Sequence, residues 1–476
     1  MVEPSADPLP IPDGPSASPG SPVTTPVAAR NGRRRPVLVI AAIFALAIVG
    51  LAVSQAGLLD RRSGPTSTTP RQTQGAGPGS IAWVDNLGAL KRTDSLGTTI
   101  VLGAESDTTY GFPAWSPDGT RVAAVRDGPR GTEIAIFPVS PASAGAPPSA
   151  GPGPSAAAGS VIFRSPSAAP FYLYWSPDGR TMSFLANEDG GITLRSTPTD
   201  GSGPLDGGPA GLLRKGAPLY FDWMAPDRLL LHVGIGPDAF LGEVGPDGSG
   251  VGAAIANPGD FRTAAVSPGG QFRAWVRGSQ PTASIVVSRR DGSAEHELAV
   301  FGPAAFVFND AGTTLAAIGA DQPGQANLAF PLGPLRLIDP SSGVERTLLD
   351  GRVVGFFWSP DGRTIAALRL VGGPAGPVAD ASPTPAAAVT VHLVFVDVGD
   401  GHVRSDQVVR PASRFVGQFL PYFDQYALSH RIWAADSSAL LLPVASNSGT
   451  DELLALPPDG AEPLRRLAGD AGFWSP

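Results

Sequence analysis

Five aspartates recur in one local setting: Asp118, Asp178, Asp227, Asp361 and Asp436 each follow an aromatic-containing stretch at a turn. Carboxylates repeated at fixed register could line one end of a channel and hold a cation, because hard cations collect several oxygen ligands. The competing account is local: a turn aspartate bonds its own neighbouring backbone, which explains the residue type without a ligand. Histidine chemistry is sparser still. His232, His296, His392, His402 and His430 are dispersed and show no metal-ligand spacing. The chain has no cysteine, which removes disulfides, a lipoprotein anchor cysteine and any thiolate ligand or nucleophile. Neither a Gly-x-Ser-x-Gly elbow nor a phosphate-cradling glycine loop occurs. These residues point to no catalytic residues, no metal site and no cofactor.

One segment concentrates residues suited to recognition. Between Arg414 and His430 the chain places five aromatics within twelve residues, from Phe415 to Tyr426, although aromatics are only 7% of the whole. Phe415, Phe419, Tyr422, Phe423, Asp424, Gln425, Tyr426 and His430 together offer ring area with polar handles, the composition of a partner or ligand contact. The other account has the same segment folding over the domain and packing its rings on it.

The elements around these residues repeat. Trp-Ser-Pro-Asp-Gly occurs at 115–119, 175–179 and 358–362, and degenerate copies centre on Trp223, Val266, Phe308, Trp433 and Trp474. Most steps between copies are 41 to 50 residues, and two, of 60 and 75, carry insertions. Each copy reads as an apolar strand, a turn and a returning strand such as Arg121–Val125, the turn being suited by proline, aspartate and glycine. A second series, at Asp200-Gly201, Asp247-Gly248, Asp291-Gly292, Asp400-Gly401 and Asp459-Gly460, sits between further apolar runs. The unit is therefore four strands with tight turns between the first two and the last two, and a period of this size indicates propeller blades. About eight blades are expected, or seven if the copy at Trp433 is an embellishment. Trp115, Trp175, Trp223, Trp358, Trp433 and Trp474, with Asp118, Gly119, Asp178, Gly179, Asp227, Asp361 and Gly362, are the structural residues of the repeat.

The two ends of the repeat complete each other. Ile81–Val84, Leu90–Thr93 and Ile100–Leu102 are three strands lacking an innermost one, and Phe473-Trp474-Ser475 can supply it. Such closure removes an open sheet edge.

Ahead of the repeat, residues 1–36 form a Pro, Ser and Ala-rich tail ending in an Arg cluster, too poor in large apolar residues to fold. Val37–Leu59 then runs 23 residues without a charge, long enough to span a bilayer as a helix. Arg30, Arg33, Arg34 and Arg35 before it, against Arg61 and Arg62 after it, favour a cytoplasmic N-terminus and an extracytoplasmic repeat domain. A cleaved signal peptide ending near Ala52-Val53-Ser54 is the alternative, although the apolar stretch exceeds a normal signal core of roughly 7–15 residues. Residues 60–79 make a flexible linker, and the repeat fills 80–476. Its insertions, Pro141–Gly159 and Gly372–Ala388, read as solvated loops. A net charge of −8 without a basic stripe disfavours nucleic acid.

The repeated Trp-Ser-Pro-Asp-Gly followed by a short apolar strand resembles the propeller repeat of the TolB-like proteins, over roughly residues 80–476. That resemblance implies an extracytoplasmic, non-catalytic propeller that binds other proteins or envelope components. TolB itself differs in having a cleaved signal, an α/β domain before the propeller and six blades. The expectation is an all-β, membrane-anchored, extracytoplasmic β-propeller serving as a protein-binding or scaffolding module of a bacterial envelope. A propeller enzyme, or a sugar or metal sensor using the central channel, is the alternative.

Overall fold

Each Trp-Ser-Pro-Asp-Gly phrase folds as the hairpin turn its residues dictate. The Gly119 N–H donates to the Ser116 carbonyl at 2.9 Å, with Gly119 at φ +67°, a left-handed conformation that glycine adopts freely. Asp118 Oδ1 accepts from the Ser116 hydroxyl at 2.6 Å and from the Thr120 N–H at 3.1 Å, while Ser116 Oγ accepts from the Arg121 N–H at 2.9 Å. The same set recurs around Asp178 and Asp361. Asp436 accepts from both the N–H and the hydroxyl of Ser438, and Asp227 is exposed. In the second turn series Asp200, Asp247, Asp291, Asp400 and Asp459 each accept from the N–H two residues on. Asp227 apart, local bonding engages both sets of carboxylates.

The computed structural model describes residues 79–139, 159–206, 208, 211–250, 254–255, 258–279, 282–323, 330–370, 390–446 and 450–476. The N-terminal tail, the apolar stretch 37–59, the linker before residue 79 and nearly all of both insertions lie outside them. No helix among the described residues is long and apolar enough to cross a membrane.

Every named strand pairing is antiparallel, and among the described residues the named elements are strands apart from the 414–430 segment and one short turn of helix at Gly236–Asp238. The first sheet has the order Gly469–Trp474, Ile81–Asp85, Leu90–Thr93, Thr99–Gly103, so its innermost strand comes from the far end of the chain. In that pairing Ile81 lies opposite Trp474 and Val84 opposite Ala471. The next two sheets run Thr109–Trp115 to Ser160–Ser165 and Ala169–Trp175 to Leu212–Lys215. A three-stranded sheet follows, from Leu219–Ala225 to Phe240–Val244, extended by bridges at Gly250 and Ile255.

A ten-stranded sheet then covers the span from Ala265 to Val409. Two of its strands, His296–Phe308 and Glu345–Trp358, are 13 and 14 residues long. Each pairs first as the outer strand of one unit and then, after a register shift, as the inner strand of the next. A last sheet, Leu440–Ala445, Asp451–Leu456 and Arg465–Leu467, leads back to Gly469–Trp474. Counting each long strand in both units it joins, the described strands form eight antiparallel units in chain order. The arrangement is propeller-like.

The motif tryptophans bind one unit to another. Trp175 Nε1 donates to the Ala114 carbonyl at 3.1 Å, Trp358 Nε1 to Val307 at 3.1 Å, and Trp433 Nε1 to Phe357 at 3.1 Å. In each case the acceptor lies on the inner strand of the preceding unit, one residue before that unit's own motif position. Arg121 reinforces one seam: its guanidinium lies 4.7 Å from the centre of the Trp175 ring and donates to the Gly179 carbonyl at 2.8 Å.

Candidate functional site

The inner strand of the eighth unit is broken in two. Pro411 pairs with Val444, and Trp433 with Leu440; four residues separate the partners on one strand and twenty-two on the other, so eighteen extra residues leave the sheet between them. Their backbone winds through an irregular helical turn at Phe415–Phe419, a tight turn at Leu420–Tyr422 and a short helix α1 at Phe423–Ser429. Chain entry and return are pinned by Ala412 N–H to the Pro443 carbonyl at 2.9 Å and Leu441 N–H to the Ile432 carbonyl at 2.6 Å.

This excursion turns its rings inward. Phe415, Phe419, Phe423, Asp424, Gln425, Tyr426 and His430 are all buried, while Tyr422 is half-buried. Phe423 meets Phe356 edge-on at 5.2 Å, Phe419 stacks on Phe473 at 5.8 Å, and Tyr426 meets Tyr172 edge-on at 5.3 Å and stacks parallel to Phe112 at 6.4 Å. Those partners belong to inner strands of the seventh, first, third and second units. The segment therefore fills the space that the inner strands surround. Apolar surface explains the direction, since exposing five rings would forfeit about 1.5–3 kcal/mol for each large side chain.

Polar groups are carried in with the rings. The Tyr172 hydroxyl donates to the Gln425 carbonyl at 2.9 Å, and the Tyr426 hydroxyl reaches the Phe171 carbonyl at 3.4 Å. Asp222, on Leu219–Ala225, accepts from the Tyr174 hydroxyl at 3.1 Å, and burial pushes its carboxyl up to about 7. Burial likewise lifts Asp424 to about 6, against a bond from the Gln425 N–H at 3.0 Å. Burial holds His430 down to about 3, with its Nδ1 2.6 Å from the Ser429 hydroxyl. Tyr172, Tyr174 and Tyr220 are all raised by the same burial.

The Ser429–His430 contact has the atoms of a nucleophile and base, but the imidazole is 2% exposed and its basicity is suppressed. Beside the excursion, Phe112, Phe415, Phe419, Ile432 and Phe473 line an apolar cleft of ≈ 40 Å³. Its rim is held by Arg414 Nη1, 3.1 Å from both oxygens of Asp470, and Arg414 Nε donates to Gln418 at 3.2 Å. A cavity of that size holds a few waters, at roughly 10–15 Å³ each.

Among the described residues no group of three or more His, Asp or Glu could hold a metal ion. Three of the histidines have separate partners: His232 Nδ1 is 2.9 Å from the Arg262 carbonyl, His296 Nε2 3.3 Å from that of Ser341, and His392 Nδ1 2.5 Å from Asp406. Sequence reasoning passed over Tyr172, Tyr174 and Asp222. The available signal was Asp222 itself, a lone charge in the apolar run Leu219-Tyr-Phe-Asp-Trp223.

No family model matches the chain, and no curated protein matches it. Solved structures do resemble it. The dihydro-heme d1 dehydrogenase NirN, solved in complex with DHE, aligns with a TM-score of 0.50 at 14% identity, over 86% of this chain and 76% of that one. TolB from Acinetobacter baumannii aligns with a TM-score of 0.33 at 14% identity, over 70% of this chain and 66% of its own length. An oligogalacturonate lyase in complex with manganese gives 0.39 at 10% identity, over 61% of this chain and 88% of that one. At such identities the likeness concerns the fold alone.

Proposed function

We propose that the chain is a membrane-anchored, extracytoplasmic, eight-bladed propeller that works as a protein-binding or scaffolding module of the cell envelope. The reading takes the eight units as blades of one ring stitched shut by Gly469–Trp474 against Ile81–Asp85. The observation that carries it is the filling of the axis by the chain's own rings, with Phe423, Phe419 and Tyr426 packed on inner strands. Small-molecule turnover in propellers needs an open pocket with convergent polar groups. Here the central polar groups are enclosed, which leaves outer faces and blade edges for recognition. The apolar, uncharged Val37–Leu59 and the arginine bias before it support the anchor and its orientation.

Crosslinking of the full chain in its native membrane, followed by capture, tests this reading. A protein crosslinked in constant proportion, from a chain resistant to carbonate extraction and with its repeat domain open to added protease only from the outer side, is the expected result. Turnover of an oligosaccharide or peptide by the purified full chain, or stoichiometric uptake of a divalent metal, would move the assignment to an enzyme or sensor.

A further inference from the structure

Two carboxyl groups on facing elements are buried at the core of the molecule without an ion pair among the described residues. Asp222 lies on the inner strand of the fourth unit and Asp424 on α1, which packs against that strand and against Ala169–Trp175. Around Asp222 stand Tyr174 and Tyr172 from the third unit and Tyr220 from its own strand. Around Asp424 stand the Thr263 hydroxyl, the backbone of Gln425 and, farther off, Arg262. The Arg262 guanidinium donates instead to the Phe261 carbonyl at 2.6 Å. On the helix's far end His430 bonds Ser429, and Arg431 acts on Tyr174 and Asp310.

We propose that the 413–431 excursion is a proton-held plug, seated while Asp222 and Asp424 are uncharged and loosened when they ionise. A neutral carboxyl tolerates this enclosure, whereas a carboxylate there needs either a cation or water. Loosening the excursion gives it water.

The direction with pH follows from linkage. Both carboxyls are raised above their ordinary value of 3.8, to about 7 and about 6, so the seated state holds extra protons and its advantage falls as pH rises from about 4 to about 7. His430 opposes them: its value is lowered from 6.5 to about 3, so it favours seating more as pH climbs toward 6.5. One proton changes the equilibrium tenfold per pH unit, so between pH 5 and 7.5 the net is an increase in opening of roughly tenfold to a hundredfold.

Hydrogen exchange read by mass spectrometry on the full chain, corrected for the intrinsic pH dependence of exchange, tests the plug. Peptides spanning 415–430 are expected to lose protection by that factor from pH 5 to 7.5, while Arg121–Gly128 and Gly131–Pro138 keep theirs. Asp222→Asn and Asp424→Asn, which cannot ionise, should each flatten the dependence, and His430→Gln should steepen it. An unchanged dependence in both Asn variants, or parallel loss of protection in the control strands, would overturn the proposal. Should Asp424→Asn fail to fold, Asp222→Asn decides alone, because its side chain lies outside the excursion.

Discussion

Trp115 donates its indole N–H to the carbonyl oxygen of Phe473, 3.0 Å away across 358 positions of sequence. It is the same bond that Trp175, Trp358 and Trp433 make to their preceding units, and here it spans the join between the chain's two ends. Each acceptor immediately precedes a motif position, so one strand offers its carbonyl to the next unit while its own side chain reaches back. The series is incomplete: Trp223 Nε1 and Trp474 Nε1 are buried without a protein partner.

That contrast gives a first expected outcome. Trp115→Phe removes one donor to the Phe473 carbonyl, which keeps its ladder partner Ala82, so it should cost about 0.5–1.5 kcal/mol beyond the change in packing. Trp474→Phe loses no hydrogen bond and should cost less. Urea melts of the two variants check the difference; equal losses would mean that the indole bond contributes nothing.

Removal of Gly472–Pro476 should be far more damaging. It strips the partners of Ile81, Ala82 and Trp83 and empties the sites of two buried aromatics, Phe473 and Trp474. At about 3–5 kcal/mol for each aromatic, the loss rivals the whole stability of a typical domain. A truncated chain with an unchanged melting temperature would refute the pairing of the ends.

Within the excursion, Phe423→Ala and Tyr426→Ala are expected to lower stability by about 3–5 kcal/mol, as core aromatics do. Tyr422→Ala, at a half-buried position, should cost much less. Denaturant unfolding of the three variants separates core packing from a surface patch, for which all three would be nearly silent.

The turns predict acid sensitivity. Asp118 is held down to about 2, chiefly by the Ser116 hydroxyl and then by the Thr120 N–H. A lowered carboxylate stabilises the fold above its ordinary value of 3.8, and that contribution is lost as pH falls from about 4 toward 2. Asp178 is lowered by its Ser176 bond in the same way. Melting temperatures across this range should fall less steeply for Asp118→Asn than for the unaltered chain.

Legibility in the sequence followed the range of the interactions. Ser116, Asp118 and Gly119 could be read because their partners lie within five residues. Trp115 was recognisable as a packing residue, yet its acceptor is supplied by another unit, and no spacing announces it. The 414–430 segment stood out as a break in the period. Its direction could not be read, since five aromatics suit a buried plug as well as an exposed contact, and the inward packing depends on inner-strand rings such as Phe356, Phe473 and Tyr172 that lie far away in sequence. Asp222 was hidden for a different reason: its meaning depends on Tyr174 and α1, which reach it from forty-eight residues earlier and two hundred later.

The pairing of Ile81 with Trp474 also sets a schedule. Those residues are made 393 positions apart, a gap of about 20–80 s at 5–20 residues per second. Throughout that interval the first sheet presents Ile81–Asp85 as a bare edge, available to any strand that arrives before the rightful one. Slow synthesis or a delay in delivering the C-terminus should thus raise misassembly without any change in the finished molecule's stability.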